Sequence, residues 1–512
     1  MHRISRPAAA LTGLLGIVVA LACGPVAARH GEAPYSLAHP AKAGVDVPIE
    51  DVAGVDAARL RHDADRTLAG SGAHSKRQKS AASNHVSITP ERQGRWDALD
   101  DGTKLWRVRV RAAGATDLRV AFAHFALPRG ATLYLIGADG FYQGPYTRAD
   151  APEGSFHSPV VPGDTATVEL RVPAQATVGA AQLEISDIGA GFRDLFKRSN
   201  ALDSVGDSGA CNVDVVCPLG QAYPNEIRAV GHYEFAAADG SGFYICSGTL
   251  LADVPKDKRN YFLTAHHCMS VASEAQSMVV YWNYQSTQCG TISAPPDGFF
   301  TDDQHGATLR ATRADTDFTL VELTAAPDTD WNLYYAGWDA SGAVPGGTIG
   351  IHHPSGDVKK ITAGPQPSTM DGCISTTNGS ATHWRTGPYS QGTTEGGSSG
   401  SGLFITAGSA SPDRRLIGTL SGGTALCSDI SPSQPNDGFD CYGKLSLGWN
   451  GSSAAARLRD WLDPGNTGTT GTAGIDQNET TPSGTRGHST HALPDILRQL
   501  PPPNSGAHRS VR

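Results

Sequence analysis

The sequence predicts an all-β protein with two β domains in one chain. Glycine and proline are plentiful, with 60 and 32 residues among 512, and stretches with the period of a helix are scarce. This composition favours many short strands joined by turns. A chain of this length is also too long for one ordinary domain. The net charge of −9 is mild and no basic patch stands out, so we expect no nucleic-acid partner.

The N-terminus, residues 1–28, is predicted to be a signal peptide. A short basic start precedes an apolar run over residues 8–22, and a small-residue cleavage site precedes Arg29. The run is short for a membrane span, and no later segment is long and apolar enough to cross a bilayer. We therefore expect a secreted protein with no membrane partner. A retained membrane anchor and a lipid-modified Cys23 are the alternatives.

The next part of the chain divides into a leader, a domain and a linker. Residues 29–94 are rich in Ala, Ser, His and charge and are predicted to be extended or weakly helical. Residues 95–188 contain runs of alternating apolar and polar residues, which predict a small antiparallel β domain without cysteine. The linker, 189–205, carries Lys197 and Arg198, a pair that fits either a processing site or a solvated charge pair.

The second half of the chain is predicted to hold the larger β domain. From Cys211 to Pro464, short apolar runs alternate with turn signals, which favours two packed β barrels or a sandwich. Residues 453–462 predict a helix with a serine cap, ended by Pro464. Residues 465–512 are rich in Gly, Thr, Ser and Pro with few large apolar residues, and predict a disordered tail.

Eight of the 9 cysteines follow the signal peptide, and all eight fall between residues 211 and 441. An even number in an exported chain predicts disulfides. Metal binding is the rival interpretation, but no CxxC pair occurs, so we expect no metal ion and no cofactor. The eight are Cys211, Cys217, Cys246, Cys268, Cys289, Cys373, Cys427 and Cys441.

Three short motifs carry the chemistry, in the chain order His, Asp, Ser. His267 precedes a cysteine, Asp317 opens an apolar run, and Ser399 lies between glycines. This is the order of the chymotrypsin type of serine protease. Each motif is weak alone, because 18 histidines and many glycine-rich loops occur in the chain. Together they predict a hydrolase of peptide bonds.

The roles of these residues follow from what acyl transfer needs. The hydroxyl of Ser399 needs a base, which His267 supplies, and Asp317 would orient the imidazole. The backbone N–H groups of Gly397 and Ser399 are predicted to bind the oxyanion. His266 and Asp315 are nearby alternatives for the base and the acid, each further from its anchoring motif.

Residues 211–464 resemble the secreted bacterial lysyl endopeptidases, within the chymotrypsin-like serine proteases. The motifs include Cys-Asn-Val-Asp-Val-Val-Cys-Pro from residue 211, Tyr-Phe-Leu-Thr-Ala-His-His-Cys from residue 261 and Trp-Leu-Asp-Pro from residue 461. The resemblance implies a chymotrypsin-like double β-barrel protease domain, 206–464, with the active site between the barrels. It implies a removed propeptide, 29–205, and it assigns the same three catalytic residues.

The resemblance also implies a disulfide pattern. Three pairs follow the family, and the two cysteines that remain are expected to form a fourth bridge, which the family members lack. The pairs are Cys211 with Cys427, Cys217 with Cys289, Cys246 with Cys268, and Cys373 with Cys441.

Substrate preference is expected to depend on Asp440, which matches the aspartate of the family's lysine pocket. A buried carboxylate needs a cationic partner, and a substrate ammonium would supply one. Ser421 stands where the family has a histidine, before Gly422 and Gly423, which line the substrate. The tryptophan that stacks on that histidine also has no counterpart between Trp338 and the next tryptophan. Arginine could then be accepted as well as lysine.

Activation is expected to differ from that of the pancreatic enzymes. Ser398 stands where those enzymes carry the aspartate that pairs with a new N-terminus, so we expect that switch to be absent. The pro-region would instead block the enzyme or assist folding until it is cut near Arg198, Ser199 or Gly206. The expected partners are the chain's own propeptide and polypeptide substrates with a basic P1 residue, and we expect a monomer.

Two rival functions stay open at this point. One is a protease with the same triad and a small or apolar P1 preference, in which Asp440 is an ordinary loop aspartate. The other is a non-catalytic binding module on a protease fold, which would need a broken triad.

Overall fold

The computed structural model describes residues 32–40, 46–68, 74–176, 179, 181–195, 208–290, 302–374, 381–406, 414–427 and 438–479. The predicted signal peptide and most of the processing linker lie outside these residues. Strands dominate the described chain, and the all-β class is confirmed. Among the described helices, none is long and apolar enough to cross a membrane.

The N-terminal domain is a two-sheet β domain with two helices, α1 (Tyr35–Ala38) and α2 (Ala57–Leu68). One sheet has the order β1-β5-β11-β7-β8 with β4 beside β5, and the other contains β10-β6-β12-β3 with β9 beside β6. The strands are β1 (Ile49–Asp51), β2 (His74–Ser75), β3 (Gln78–Ile88), β4 (Arg95–Ala98), β5 (Lys104–Arg111), β6 (Asp117–Ala126), β7 (Thr132–Gly137), β8 (Tyr142–Tyr146), β9 (Phe156–His157), β10 (Val161–Pro162), β11 (Thr165–Val172) and β12 (Gln182–Gly191).

Alternating sequence explains how these two sheets bury one core. In β5, Trp106, Val108 and Val110 are fully buried and belong to a core that includes Leu170 of β11 and Phe122 of β6. Side chains of a strand point to opposite faces in turn, so these apolar positions share one face. Burying them removes apolar surface from water and stabilises the domain.

The β domain begins earlier than the sequence predicted. The predicted leader, residues 29–94, contains α2 and β3, and β3 pairs along one edge with β12. Only Ile88 and Val86 are large apolar residues in this eleven-residue strand. The strand is therefore held mainly by backbone pairing, which leaves little apolar pattern to detect.

The C-terminal domain contains the remaining strands and short helices. Its helices are α3 (Pro224–Ala229), α4 (Ala272–Gln276), α5 (Leu445–Gly448) and α6 (Arg459–Leu462), with 3₁₀ turns at Pro218–Ala222, Thr329–Trp331, Pro354–Gly356 and Ala454–Ala456. Its strands are β13 (Val213–Asp214), β14 (Val230–Ala236), β15 (Phe243–Leu251), β16 (Tyr261–Thr264), β17 (Val279–Tyr281), β18 (Asp303–His305), β19 (Ala307–Arg313), β20 (Phe318–Leu323), β21 (Tyr334–Tyr335), β22 (Trp338–Asp339), β23 (Thr348–His352), β24 (Lys360–Gly364), β25 (Ser368–Met370), β26 (His383–Thr386), β27 (Gly402–Ile405), β28 (Leu416–Gly423), β29 (Asp440–Lys444), β30 (Gly471–Thr472) and β31 (Ile475–Asp476).

These strands form two barrels with a shared apolar layer, as the predicted double barrel requires. The first barrel follows β18-β17-β14-β15-β16-β20-β19, and the second follows β13-β24-β23-β27-β28-β29-β26-β25. One buried cluster contains Leu263 and Leu320 from the first barrel together with Ile351 and Phe404 from the second. This cluster holds the two barrels against each other.

A single sheet continues from the N-terminal domain into the first barrel. β3 pairs with β12 on one side and with β15 of the first barrel on the other, and the sheet has 12 strands in all. Arg119 of β6 forms hydrogen bonds to Glu234 of β14 and to Asp117, and all three side chains are at most 4% exposed. The two domains are thus joined by backbone pairing and by a buried charge cluster.

The C-terminal end of the domain differs from the sequence prediction in two places. Residues 453–462 do not form one helix, because Arg457 is extended and separates the 3₁₀ turn from α6. Residues 465–479 lie in the range predicted as a disordered tail, yet β30 pairs with β22 and β31 pairs with β21. Their pairing depends on strands far away in the sequence, and composition does not reveal such contacts.

The eight cysteines lie in the four predicted pairs. Their Cα atoms are 5.7 Å apart in Cys211–Cys427, 4.8 Å in Cys217–Cys289, 6.5 Å in Cys246–Cys268 and 6.1 Å in Cys373–Cys441. These separations suit disulfides.

Removing Arg119 should destabilise the full chain strongly. Arg119→Ala leaves Glu234 and Asp117 buried without their cation, so we expect the free energy of unfolding to fall by about 3–5 kcal/mol. Arg111→Ala is the matched control, because its pair with Asp51 is about half exposed, and we expect a loss of about 1 kcal/mol or less. Urea denaturation of the Ser399→Ala chain would measure both. Equal losses in the two variants would contradict the buried role of Arg119.

Acid should also weaken the fold through buried histidines. Burial lowers the pKa of His232 to about 3, with a further contribution from Arg119, and it lowers the pKa of His352 to about 3. The unfolded chain binds protons near the ordinary histidine pKa of about 6.5, so the stabilisation is present above that pH and is lost as the pH falls toward 3. We expect each histidine to cost about 2 kcal/mol at pH 5. Urea midpoints at pH 7.5 and 5 would show the loss, and His232→Gln should reduce it.

Candidate active site

His267 lies in the turn after β16, at the junction of the two barrels. Its Nδ1 is 2.7 Å from Asp317 Oδ2, and its Nε2 is 2.7 Å from Ser399 Oγ. Its backbone N–H donates to Asp317 Oδ1 at 2.9 Å. The next residue is bridged to Cys246 of β15, which fixes this turn against the first barrel. The imidazole therefore has a hydrogen-bond partner on each ring nitrogen.

Asp317 precedes β20 and is buried under His267. Its φ of 48° is left-handed, a conformation that aspartate tolerates better than most residues. Burial alone would raise the pKa of its carboxyl group, but the charge and hydrogen bonds of His267 and a hydrogen bond from Ser421 hold that pKa below its usual value. A carboxylate in this state can fix the imidazole tautomer and stabilise an imidazolium.

The turn around Ser399 depends on two glycines with positive φ. Gly397 has φ 86° and Gly400 has φ 83°. A Cβ atom on Gly400 would lie 2.1 Å from Thr264 Oγ1 and 2.4 Å from Ser247 O, so no side chain fits there. The hydroxyl of Ser399 is directed at His267 as a result, and the backbone N–H of Gly397 donates to Lys76 O at 2.5 Å.

The neighbouring alternatives for base and acid are directed elsewhere. His266 Nδ1 is 2.8 Å from Thr312 Oγ1. Asp315 pairs with Arg313, with 2.8 Å between Oδ2 and Nη2. In the described part of the chain, no group of three or more His, Cys, Asp or Glu side chains is arranged to hold a metal ion.

Asp440 lies in the predicted lysine pocket, next to Tyr389 and Thr394. It is fully buried at the start of β29. Its Oδ2 accepts hydrogen bonds from Tyr389 Oη at 2.7 Å and from Thr394 Oγ1 at 2.6 Å. The Cys373–Cys441 bridge lies next to it along the chain. Two hydroxyl donors satisfy one oxygen, and the other oxygen faces the pocket.

The pocket is occupied by Lys76 of the N-terminal domain. Its Nζ lies 2.7 Å from Asp440 Oδ1, 2.8 Å from Ala425 O and 3.0 Å from Thr394 O, with a further hydrogen bond to the Thr394 hydroxyl. The side chain is 3% exposed. Burial lowers the pKa of this amine, and the charge and hydrogen bond of Asp440 counteract part of that effect. The acceptors converge on a single cationic point.

The predicted substrate strand is also occupied. Gly422 pairs with Ser75 and Gly423 pairs with His74, in an antiparallel ladder between β28 and β2. Ser421, the residue before these glycines, hydrogen bonds to Asp317, and its Oγ lies 3.1 Å from His383 Nε2. The Ser421 hydroxyl therefore helps to hold the pKa of the Asp317 carboxyl group below its usual value.

Ser398 has a partner that the sequence did not suggest. Its Oγ lies 2.8 Å from His352 Nδ1 and accepts from the backbone N–H of Glu395 at 3.1 Å. Within the described residues, the imidazole of the buried His352 thus lies next to the Ser398 hydroxyl.

Sequence reasoning missed the other residues of the pocket. Tyr389 and Thr394 lie in an irregular stretch without a motif. Lys76 lies in the predicted leader. The basic pair that it forms with Arg77 is the one feature of the local sequence that could have drawn attention to it. The hydrogen bond between Lys76 and Asp440 spans 364 residues of chain, a distance over which local patterns carry no information.

Two solved structures of proteases resemble part of the chain weakly. The active form of a protease from M. tuberculosis is 13% identical, covers 44% of this chain and 78% of its own, and has a TM-score of 0.29. An HtrA-type protease with a tripeptide is 17% identical, covers 44% of this chain and 59% of its own, and has a TM-score of 0.29. Likenesses at this level do not bear on the fold.

Sequence relatives are far more specific. A family model for the lysyl endopeptidase N-terminal domain matches residues 55–189, and one for the lysyl endopeptidase C-terminal domain matches residues 205–443. Lysyl endopeptidase from Pseudomonas aeruginosa is 33% identical over 359 residues, which are 68% of this chain and 74% of that protein. These matches span both domains of the fold and the whole of the site, and the chain therefore belongs to the lysyl endopeptidase family of serine endopeptidases.

Proposed function

We propose that this endopeptidase cleaves polypeptides on the carboxyl side of lysine, through a triad of Ser399, His267 and Asp317. One observation carries the proposal. A hydrogen-bonded chain joins these three residues, and Asp440 holds the side chain of Lys76, whose carbonyl oxygen accepts from Gly397, two residues before Ser399.

The proposed reaction begins when Ser399 Oγ attacks the carbonyl carbon of the P1 residue. His267 Nε2 takes the serine proton and then passes it to the leaving amine, while Asp317 keeps the other ring nitrogen protonated. The backbone N–H groups of Gly397 and Ser399 would stabilise the negative oxygen that develops. Water then hydrolyses the acyl-enzyme by the same proton transfers in reverse.

The chemistry of the pocket supports lysine as the P1 residue. An ammonium group is compact and has three donors, and the acceptors around Lys76 Nζ converge on one point. A guanidinium is wide and planar and needs acceptors spread along its edge. We therefore expect lysine to be preferred over arginine. A small or apolar P1 residue would leave Asp440 buried without a cation, which is unfavourable.

We further propose how the chain is organised and where it acts. Residues 1–28 would be a signal peptide for export, residues 29–205 a propeptide, and residues from 206 through the strands that end at 476 a monomeric, secreted protease. Four cysteine pairs at disulfide distance support an oxidising compartment. Cleavage in the linker at Lys197 or near Gly206 would release the protease.

Substitutions in the triad should lower turnover without changing the fold. We expect Ser399→Ala to reduce kcat by about 10⁶-fold and Asp317→Asn by about 10⁴-fold, because the wrong imidazole tautomer would be favoured. Asp315→Asn is the matched control, since that carboxylate pairs with Arg313 away from the imidazole, and it should retain nearly full activity. Hydrolysis of a lysyl ester would measure all three. A Ser399→Ala enzyme with normal turnover would favour the non-catalytic rival or another nucleophile.

Substitution of the pocket aspartate should remove the preference for lysine. In Asp440→Ser, the substrate ammonium is buried without its anion, so kcat/KM for lysyl peptides should fall by about 10³-fold. Peptides with alanine at P1 should be affected far less. Asp437→Ser, three residues earlier in the chain, serves as the control. If both variants cleave a peptide library in the same pattern, the proposed role of Asp440 in selecting lysine is wrong.

A further inference from the structure

We propose that the N-terminal domain is a substrate-like inhibitor of its own protease, with Lys76 as the P1 residue and Lys76–Arg77 as the reactive bond. This inference rests on the proposed function, because it takes the triad and the lysine pocket as given. It adds a second function to the chain, which is reversible inhibition, and a second cleavage site far from the linker.

The residues before the bond pair with the protease as an extended substrate strand would. β2 adds to β28 as an antiparallel strand, with Ser75 opposite Gly422 and His74 opposite Gly423. Addition of an extended peptide to a sheet edge is a common mode of recognition, with the backbone supplying affinity and a side-chain pocket supplying specificity. Lys76 supplies that side chain here, and its ammonium pairs with Asp440.

The carbonyl group of Lys76 lies against one of the two predicted oxyanion donors. Its oxygen accepts a hydrogen bond of 2.5 Å from the backbone N–H of Gly397. The hydroxyl of Ser399 is two residues along the same turn and is bonded to His267. The segment thus presents a peptide carbonyl, a P1 side chain and a strand register to the site at once.

The residues after the bond are held as firmly as those before it. The Arg77 guanidinium lies 3.9 Å from the centre of the Tyr244 ring and 5.1 Å from that of Phe235, and it donates to His267 O at 3.4 Å. Gln78 then begins β3, which pairs with β15 on the protease side. Cation–π contacts and strand pairing therefore fix the leaving-group side.

The domain ties the two sides of the bond to each other. Asp65 of α2 precedes the segment, and its Oδ1 accepts from Gln78 Nε2 at 3.2 Å and from Arg193 Nη2 at 2.7 Å. Arg193 also donates to Lys79 O at 2.6 Å. A cut between Lys76 and Arg77 would therefore leave both new ends attached to one folded domain.

This arrangement explains how a cleavable bond can inhibit. Ser399 Oγ attacks the Lys76 carbonyl carbon, the C–N bond to Arg77 breaks, and His267 passes the serine proton to the Arg77 nitrogen. The new amine stays in place because β3 is paired on both edges. It can attack the acyl-enzyme and restore the bond, with the proton returning to Ser399 through His267. Hydrolysis by water is slower than this return, so the domain stays bound.

Binding of a probe to the full chain tests the inhibition. The probe is a fluorescein-labelled Ala-Ala-Lys tripeptide with a free carboxyl end, and the Ser399→Ala background prevents processing. We expect Lys76→Ala to increase the affinity measured by fluorescence anisotropy by about tenfold or more, because the competing side chain is gone. Lys79→Ala is the matched control, a lysine on β3 opposite Tyr244, and should leave the affinity unchanged.

The contrary results separate this proposal from the proposed function. If Lys76→Ala and Lys79→Ala bind the probe equally while the processed enzyme still cleaves after lysine, the inhibitor proposal is wrong and the proposed function stands. If the processed enzyme does not cleave after lysine, the proposed function is wrong. Lys76→Gln keeps a polar side chain with part of the aliphatic stem, and circular dichroism would show that it folds. It should also bind the probe more tightly than the parent chain.

Mass spectrometry of the catalytically intact full chain tests the reactive bond. We expect a fraction of the chain to carry a cut between Lys76 and Arg77, with a fragment that begins at Arg77. The pieces should stay together in native buffer and separate in denaturant, because all four cysteine pairs lie beyond residue 210. The Ser399→Ala chain should show no such cut. If the intact enzyme never yields a fragment at Arg77, this bond is not the reactive one.

Discussion

The buried carboxylate of Asp440 is the constraint on which the contact between Lys76 of the N-terminal domain and the candidate active site depends. A carboxylate removed from water is strongly unfavourable unless a cation and hydrogen bonds compensate it. Tyr389 and Thr394 supply two hydrogen bonds, and Lys76 supplies the cation. The need for a cation at Asp440 thus links the N-terminal domain to this site, and the same need would select a lysine in a substrate of the proposed enzyme.

The catalytic geometry depends on contacts between segments that are far apart in the chain. His267 follows a first-barrel strand, Asp317 precedes another, and Ser399 lies in a loop of the second barrel, where glycines allow the turn. The apolar layer between the barrels keeps these segments in position. A change of shape at that layer would separate the serine from its base even if all three side chains were unchanged.

Motifs and family resemblance predicted the chemistry of the chain better than its architecture. Short motifs singled out His267, Asp317 and Ser399, which lie together in the structure, and the cysteines lie in the pairs that the resemblance implies. β3 was missed because it has few large apolar residues and is held by backbone pairing on both edges. The pairing of residues 471–476 with distant strands was missed for a similar reason.

The pocket shows the limit of local inference most clearly. Asp440 was predicted from the resemblance to the family, yet nothing around Lys76 in the sequence indicates that its side chain leaves the N-terminal domain. The insertion results from the fold of the whole domain, which presents a strand and a lysine together. Long-range complementarity of this kind is a property of the assembled surfaces rather than of any segment.

The pairing of β3 with β15 would have a consequence for the enzyme if its N-terminal domain is removed, as proposed above. The backbone groups of Phe243, Tyr244 and Ile245 that β3 satisfies become an open sheet edge. Open edges bind extended chains and also promote aggregation. On the leaving-group side of the cleft, an unfolded polypeptide could form backbone hydrogen bonds along that edge. The mature enzyme would thus favour extended, flexible segments over lysines held in helices, and its own solubility would improve when substrate is bound.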